Sequence, residues 1–270
     1  MTGVTTRPVT LSATDGFQLP KIEKINKVVN KKIKAIIICN PSNPTGTVYG
    51  RRELQMIVEV ASKNNLIIIA DEVYREFLFD GQKHISMMSF PQVRNRVVLI
   101  DSVSKRFNLC GARVGCVASK NKEIIATILK FAQSRSSAPT LEQLGVIPLL
   151  KNPQRYTSKL VDEYDRRRSA VIKSLSSIKG VGWYRPAGAF YIMATLPVDD
   201  IEHFSRWLLE SFHYKNETIM LAPGSGFYIT PGLGKRQARI AFVLNSQKLR
   251  KAMEVLKQAL RSYPKKITKK

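Results

Sequence analysis

In "AIIICNPSNPTG" (35–46), a short β-branched run passes directly into a turn of proline, asparagine and glycine, which predicts a buried strand that ends in a polar loop. Similar apolar runs follow it, namely "LIIIA" (66–70), "RVVLID" (96–101) and "ARVGCVAS" (112–119). Helical periodicity in "ELQMIVEVASKNN" (53–65) separates the first two runs. Short apolar strands that alternate with helical segments predict an α/β fold with a mainly parallel sheet, covered by helices on both faces.

The second half of the chain has a different pattern. In order, it contains helical sequence at about 121–150 and 154–179, the segment "VGWYRPAGAFYIMATL", a helix near 199–213, the strand "ARIAFVL" and a helix at about 246–262. Strands and helices in this order fit a smaller α+β domain. We therefore expect a large domain at 1–155, and an interdomain helix with a small C-terminal domain at 156–270.

Composition limits the class of protein. The 270 residues are 44% hydrophobic, enough for a sizeable core, and contain no apolar run of the roughly 20 residues that a membrane-spanning helix needs. The N-terminus "MTGVTTRPVT" has no apolar secretory core, and Cys39, Cys110 and Cys116 lack the spacing of a disulfide framework. We expect a cytoplasmic protein with reduced thiols and no membrane partner.

The formal net charge of +24 raises the question of a nucleic-acid partner, because basic chains can neutralise phosphates. Most of the charge is dispersed, with clusters at 21–34, 166–168 and 264–270. These clusters lack the interleaved aromatic residues that stack on bases, so we interpret them as solvated surface. RNA binding is the least favoured function.

Polar clusters follow three of the predicted strands, at 40–46, 71–74 and 102–105. Ligands of parallel sheets bind beyond the carboxyl ends of the strands, so these clusters should converge on one crevice. Lys105 lies there between small and hydroxyl residues, and a desolvated lysine can bind a carbonyl compound covalently. Nearby, Arg113 offers a donor fork that suits a phosphate group.

Other side chains at the same crevice complete a recognisable set. Ser102 and Ser104 add hydroxyl donors, Asp71 can pair with a buried cation, and Asn43 and Tyr74 can donate hydrogen bonds to an oxyanion. A lysine, a phosphate site, a carboxylate for a ring nitrogen and donors for a phenolic oxygen are what pyridoxal 5'-phosphate requires.

The chain resembles the fold-type I pyridoxal-phosphate enzymes, specifically the class I/II aminotransferases related to aspartate aminotransferase. Four motifs carry the resemblance, in the family's order: "NPSNPTG" (40–46), "ADEVY" (70–74), "SVSKRFNLCGARVG" (102–115) and "ARIAF" (238–242). Any one of them alone is a weak signal, whereas all four in order are strong. The resemblance implies the large domain of such an enzyme, truncated at its N-terminus, plus its smaller C-terminal domain.

The resemblance also implies a role for each matching residue. Lys105, Asp71 and Tyr74 would be catalytic; Asn43, Asp71, Tyr74, Ser102, Lys105 and Arg113 would bind pyridoxal phosphate; and Asn43 and Arg239 would bind the substrate carboxylate. Phe227 and Tyr191 either line the substrate pocket or belong to the core. The histidines His84, His203 and His213 show no metal spacing, and we expect surface or capping roles for them.

The implied reaction moves an amino group between an amino acid and a 2-oxo acid, in a homodimer if the enzyme is complete. An aspartate/2-oxoglutarate pair is the first hypothesis for the substrates, with aromatic or alanine-type donors open. The chain resembles the C-terminal two-thirds of the family, so a separate N-terminal polypeptide is a possible partner. An inactive or complementing fragment, and a pyridoxal-phosphate-dependent lyase, are the alternatives.

Overall fold

The structure is a computed structural model that describes residues 3–134, 137–265 and 267. The basic segment at 264–270 therefore lies mostly outside the described residues. Within the described part of the chain, no helix is both long enough and apolar enough to cross a bilayer.

The first sheet has the strand order β1-β2-β3-β4: β1 (Ala35–Cys39), β2 (Ile67–Asp71), β3 (Val97–Ser102) and β4 (Gly115–Ala118). The first three strands run parallel, and β4 pairs antiparallel with β3. The prediction of a mainly parallel sheet is confirmed.

Helices α1 (Ile22–Val28) and α2 (Arg51–Lys63) cover one face of this sheet and share an apolar core with it. On the other face, Ile37 of β1 is 71% exposed, and all four residues of β4 are exposed as well. Val98 of β3, which lies in the same row as Ile37, is nevertheless buried. The predicted sheet flanked by helices is therefore confirmed, although among the described residues this second face is open to solvent at β1.

Helices occupy most of the chain between the two sheets: α3 (Val103–Arg106), α4 (Lys122–Gln133), α5 (Thr140–Lys151) and α6 (Gln154–Ser176). A parallel strand pair needs a long crossover connection, usually a full helix. Because α3 has only four residues, the chain returns from β3 to β4 in the antiparallel direction. The segment predicted as helical at 121–150 forms two helices, and the long helix that follows it forms as α6.

The second sheet is antiparallel, with the order β5-β6-β8-β7: β5 (Gly182–Trp183), β6 (Tyr191–Thr195), β7 (Ala222–Pro223) and β8 (Gln237–Ala241). With α6, it packs against α7 (Ile201–Glu210) and α8 (Ser246–Ser262) around one core. Asp200 and Asn245 cap these two helices by accepting hydrogen bonds from backbone N–H groups of the first turn. The predicted α+β arrangement is confirmed, while the domain division at 155 stays a prediction.

The loop after β2 joins the two sheets. Its residues Tyr74, Phe77 and Phe79 lie in the core of the second sheet, although they follow a strand of the first. The backbones also meet, since the Phe79 N–H donates to the Ala187 carbonyl at 2.9 Å and the Ala189 N–H donates to the Phe77 carbonyl at 3.0 Å. The two sheets therefore share buried rings and backbone hydrogen bonds.

The basic run at 166–168 in α6 divides between solvent and interior. The Arg166 side chain is 66% exposed, whereas Arg168 is only 1% exposed. The interpretation of this run as solvated surface is wrong for Arg168, because successive residues of a helix point in different directions.

Arg168 links α6 to the joint between the sheets. It donates to both carboxylate oxygens of Asp80 at 2.8 Å, to Asp165 at 2.8 Å and to the Pro186 carbonyl at 2.7 Å. Its guanidinium carbon lies 4.4 Å from the centre of the Phe79 ring. This buried cation therefore has carboxylate, carbonyl and aromatic partners.

Replacing Arg168 tests the strength of this link. Arg168→Ala should lower the free energy of unfolding by about 3 kcal/mol, because it leaves a cavity at a buried position and removes the hydrogen bonds to Asp80, Asp165 and the Pro186 carbonyl. Arg166→Ala, on the same helix but exposed, should cost less than about 0.5 kcal/mol. Urea unfolding of the two variants measures both values, and equal losses would contradict the assignment.

The same pair gives a pH dependence. The Arg168 and Arg185 guanidinium groups hold the pKa of Asp80 well below its usual range. An aspartate in the unfolded chain has a pKa of about 4, so the ion pair stabilises the fold fully above that pH. The stabilisation is lost as the pH falls from there through the lower pKa of Asp80 in the folded protein. The stability gap between the parent and Arg168→Ala should narrow below about pH 4.

Candidate active site

The strand register of the first sheet brings three loops to one edge. Cys39 at the end of β1 lies opposite Asp71 at the end of β2, and Asp71 lies opposite Ile100 of β3. The three polar clusters therefore begin at the same end of the sheet, as expected for parallel strands.

Asp71 is half-buried at this edge, where its Oδ1 accepts a hydrogen bond from the Val73 N–H at 3.2 Å. Burial raises the pKa of Asp71, while that N–H and the Lys105 ammonium act in the opposite direction. The effect of burial is larger than that of these two groups, so they do not fully stabilise the negative charge of the ionised carboxylate. A further cation bound beside Asp71 would supply it.

Cys39 lies against the same carboxylate. Burial, and then the charge of Asp71, raise the pKa of the Cys39 thiol to about 12. The thiol is therefore protonated at neutral pH, and its Sγ donates to the Pro41 carbonyl at 3.4 Å. It is a packing residue of the site and no nucleophile.

Lys105 lies in α3 beneath two aromatic rings. Its Nζ is 6.0 Å from the centre of the Tyr74 ring and 5.9 Å from that of Phe190. The hydroxyls of Tyr74 and Tyr191 are 2.9 Å apart. Burial, and then this hydrogen bond, raise the pKa of Tyr74, so its hydroxyl keeps its proton. The structure thus brings Lys105, Tyr74 and Asp71 together.

Asn43 and Arg239 meet across the two sheets. The Arg239 Nη1 donates to the Asn43 Oδ1 at 2.9 Å. The Arg239 guanidinium carbon lies 4.6 Å from the centre of the Tyr191 ring and 5.0 Å from that of Phe227. Its buried Nε has no hydrogen-bond partner among the described residues. A buried donor without a partner is costly, so this geometry suits a bound acceptor such as a carboxylate.

Ser102, Ser104 and Arg113 line one wide, open cavity of about 1070 Å³. Ser102 caps α3, because its Oγ accepts from the Ser104 N–H at 3.1 Å, and it also donates to the Val114 carbonyl at 3.0 Å. Arg113 is exposed, and its Nη1 donates to the Cys110 carbonyl at 3.0 Å. These three residues therefore share a cavity, but the Arg113 guanidinium is turned to its own loop.

A buried cluster next to Asp71 escaped the sequence reasoning. Glu72 is 2% exposed and accepts from His84 Nε2 at 2.8 Å, from Ser86 Oγ at 2.8 Å and from the Met87 N–H at 2.9 Å. The expectation of a surface or capping role is wrong for His84, because this carboxylate draws its side chain into the interior. The spacing of twelve residues carries no periodic signal that could have revealed the pair.

Gly46 is a second residue whose role only the structure shows. Its φ of +72° is left-handed, and its carbonyl accepts from the Ala187 and Gly188 N–H groups at 2.9 Å each. A Cβ at this position would overlap Pro186 and lie 2.7 Å from the Tyr191 carbonyl oxygen. Glycine is therefore required where the turn after β1 meets the second sheet.

The fold and these side chains define the class of protein, which is an α/β enzyme fold of the fold-type I pyridoxal-phosphate group. More narrowly, the chain belongs to the class I and II aminotransferase family, whose model matches residues 1–256. The resemblance drawn from the four motifs is confirmed.

Relatives of known name are similar over most of the chain. A probable aspartate/prephenate aminotransferase of Aquifex aeolicus is 32% identical over 93% of this chain and 63% of its own length. An aspartate aminotransferase of Pyrococcus abyssi is 32% identical over 92% of this chain and 62% of its own length. This chain thus spans less than two thirds of the length of these relatives.

Solved structures of named aminotransferases are also similar to most of this chain. An aromatic aminotransferase of Pyrococcus horikoshii superposes with a TM-score of 0.84 at 30% identity, over 93% of this chain and 66% of that one. An N-succinyldiaminopimelate aminotransferase of Mycobacterium tuberculosis gives 0.83 at 27% identity, over 90% of this chain and 62% of that one.

The side chains present fit the family's cofactor by their chemistry. The family uses pyridoxal phosphate. A lysine amine at Lys105, an incompletely compensated carboxylate at Asp71 and the protonated phenol of Tyr74 offer the groups that this molecule requires. The unpaired Arg239 Nε offers a donor for a substrate carboxylate.

A substitution at Gly46 tests the joint that supports these residues. Gly46→Ala should lower the free energy of unfolding by at least about 2 kcal/mol more than Gly81→Ala, because Gly81 has a φ of +73° but open space around it. A positive φ strains the backbone of an alanine in both variants, but only in Gly46→Ala does the added Cβ overlap neighbouring atoms. Thermal unfolding of the pair measures the difference, and equal losses would contradict the close approach.

Proposed function

We propose that this chain is the catalytic part of a pyridoxal-phosphate-dependent aminotransferase, which moves an amino group between an amino acid and a 2-oxo acid. The observation that carries the proposal is the hydrogen bond from Arg239 to Asn43. It holds a guanidinium with an unpaired donor against Tyr191, whose hydroxyl bonds Tyr74 above Lys105. A carboxylate anchor and a reactive amine thus share one crevice.

In this proposal, the cofactor supplies an electron sink for the bond that breaks at the substrate α-carbon. Lys105 would hold the cofactor covalently and, once the substrate amine has taken its place, its released amine would move a proton at that carbon as a general base. Asp71 keeps a positive charge on the ring nitrogen, for which its half-buried carboxylate is suited. Tyr74 and Asn43 orient the phenolic oxygen.

The remaining assignments concern the ends of the bound molecules. Ser102 and Arg113 bind the phosphate, and Arg239 together with Asn43 binds the substrate α-carboxylate. Arg113 must turn from the Cys110 carbonyl to do so, which its exposed position allows.

This proposal leaves open which side chain the amino-acid substrate carries. The motif wording favours an aspartate/2-oxoglutarate pair, and two similar proteins are named as acting on aspartate. Another similar protein is named as an aromatic aminotransferase. A lyase would use the same residues, but it would form its product without a second 2-oxo acid, which a coupled assay distinguishes.

The three free cysteines support a cytoplasmic location.

Covalent labelling tests the proposed role of Lys105. The purified chain is titrated with pyridoxal phosphate and treated with borohydride, which makes a linkage between the cofactor aldehyde and a lysine amine permanent. Peptide mapping should then find the label at Lys105, and Lys105→Ala should lose both this label and amino transfer.

Lys120→Ala, which removes an exposed lysine, serves as the matched control and should keep the label. Label spread evenly over surface lysines would contradict cofactor binding by this chain, and parental amino transfer by Lys105→Ala would contradict its catalytic role. Bound label without amino transfer would support the alternative of an inactive or complementing fragment.

We also propose that the chain works in association with a second polypeptide, which is a homodimer partner or a separate N-terminal polypeptide. No side chain of α4 is buried, and only Val146 is buried in α5. Phe131 is 72% exposed, Leu141 is 80% exposed and Ile37 is 71% exposed. Apolar surface of this extent marks a contact site.

Light scattering on the eluting protein tests association. The parent should elute with at least twice the mass of one chain, and Phe131→Glu with Leu141→Glu should shift it to the mass of one chain. Val4→Glu, at a residue that is 75% exposed and distant in sequence from both helices, should change nothing. A parent that is monomeric at micromolar concentration would exclude the homodimer and leave a separate polypeptide as the partner.

A further inference from the structure

A second, smaller cavity of about 180 Å³ opens beside the Arg239 site, and we call it the side pocket. Phe17, which is 3% exposed, is one of its lining residues, and Phe227 and Ile229 border it with 39% and 58% exposure. The apolar side chains that form most of the remaining wall are Val9, Leu11, Pro44 and Met193.

The side pocket is apolar in character. None of the described residues that line it carries a charge, and only Thr10, Ser42, Thr45 and Tyr228 carry hydroxyls. Two of these hydroxyls already have partners, since Tyr228 donates to Gln237 Oε1 at 2.7 Å and the Thr45 hydroxyl lies 2.9 Å from that of Thr47. The lining therefore offers few free side-chain hydroxyls to a polar ligand.

The volume suits a single ring or a branched alkyl group. An apolar cavity of roughly 150 Å³ in another protein stays dry and binds benzene, so about 180 Å³ holds a group of that size.

The side pocket and the carboxylate anchor share two residues. Met193 is the direct strand partner of Arg239, so their side chains leave the same face of the second sheet. Phe227 borders the pocket and also stacks on the Arg239 guanidinium at 5.0 Å. A molecule whose carboxylate binds Arg239 can therefore place an apolar group into the pocket past Phe227.

We propose that the side pocket binds the side chain of the substrate, and that the preferred substrates are amino acids and 2-oxo acids with an aromatic or branched apolar side chain. This inference rests on the proposed function, since it takes Arg239 as the carboxylate anchor. A dicarboxylate such as aspartate would place its second charge against an uncharged wall, where desolvation disfavours it. The side pocket thus disfavours aspartate as the substrate.

Calorimetric titration tests the inference without turnover. The purified chain, in the presence of pyridoxal phosphate, is titrated with 3-phenylpropionate, with succinate and with acetate. The ring of 3-phenylpropionate should make its binding at least about tenfold tighter than that of succinate, which is the gain expected for burying a phenyl group. None of the three ligands has an amino group, so the result does not depend on catalysis.

Two variants of the pocket and one control locate the binding. Val9→Trp fills the pocket and should remove the advantage of 3-phenylpropionate while acetate binding is unchanged. Ile229→Lys, at an exposed residue that folding does not require, should reverse the preference towards succinate. Leu209→Lys, at a residue with a similar exposure of 56% outside the pocket, should leave the preference as it is.

The outcomes separate the two proposals. Equal or tighter binding of succinate to the parent, abolished by Arg239→Ala, would overturn the side-pocket inference and leave the anchor intact. Tighter 3-phenylpropionate binding that Val9→Trp and Ile229→Lys both leave unchanged would also overturn it. Binding of either ligand that survives Arg239→Ala would overturn the proposed function itself.

Discussion

The structure depends on the close backbone approach between the loop after β2 and the start of β6. Phe77 and Phe79 exchange hydrogen bonds with Ala187 and Ala189, and their rings lie in the core of the second sheet. This approach requires that Gly188 carry no Cβ, because a Cβ there would lie 2.7 Å from Pro41 and 2.9 Å from the Phe77 carbonyl oxygen. The contacts between Tyr74 and Tyr191 and between Asn43 and Arg239 become possible only once the two sheets are this close.

The electrostatics of the crevice follow from the same packing. Burial raises the pKa of Asp71, of Cys39 and of Tyr74 together, because each is removed from water at one sheet edge. The thiol and the phenol respond by keeping their protons. The carboxylate, with Lys105 as a partial counterion, is left as the group that gains most from a bound cation.

The sequence correctly predicted the place of residues that directly follow a strand of the first sheet, whereas their roles stay predictions. Asn43, Asp71 and Lys105 each follow a short apolar strand, and parallel strands bring such positions to one edge. The predictions were wrong for Arg168, expected on the solvated surface, and for His84, expected in a surface or capping role. Both are buried by carboxylates far away in the chain, Asp80 at 88 residues and Glu72 at 12, and no periodicity reports such pairs.

The family and the mainly parallel sheet could be predicted from the amino-acid sequence, because they depend on motifs of adjacent residues and on local apolar runs. Which of the motif residues meet, and what surrounds them, follows from the way the two sheets pack. The hydrogen bond between Asn43 and Arg239, which are 196 positions apart in the sequence, and the apolar wall beside Phe227 arise from contacts between distant segments. Such contacts depend on the shape in which the two sheets pack, and a linear pattern does not contain that shape.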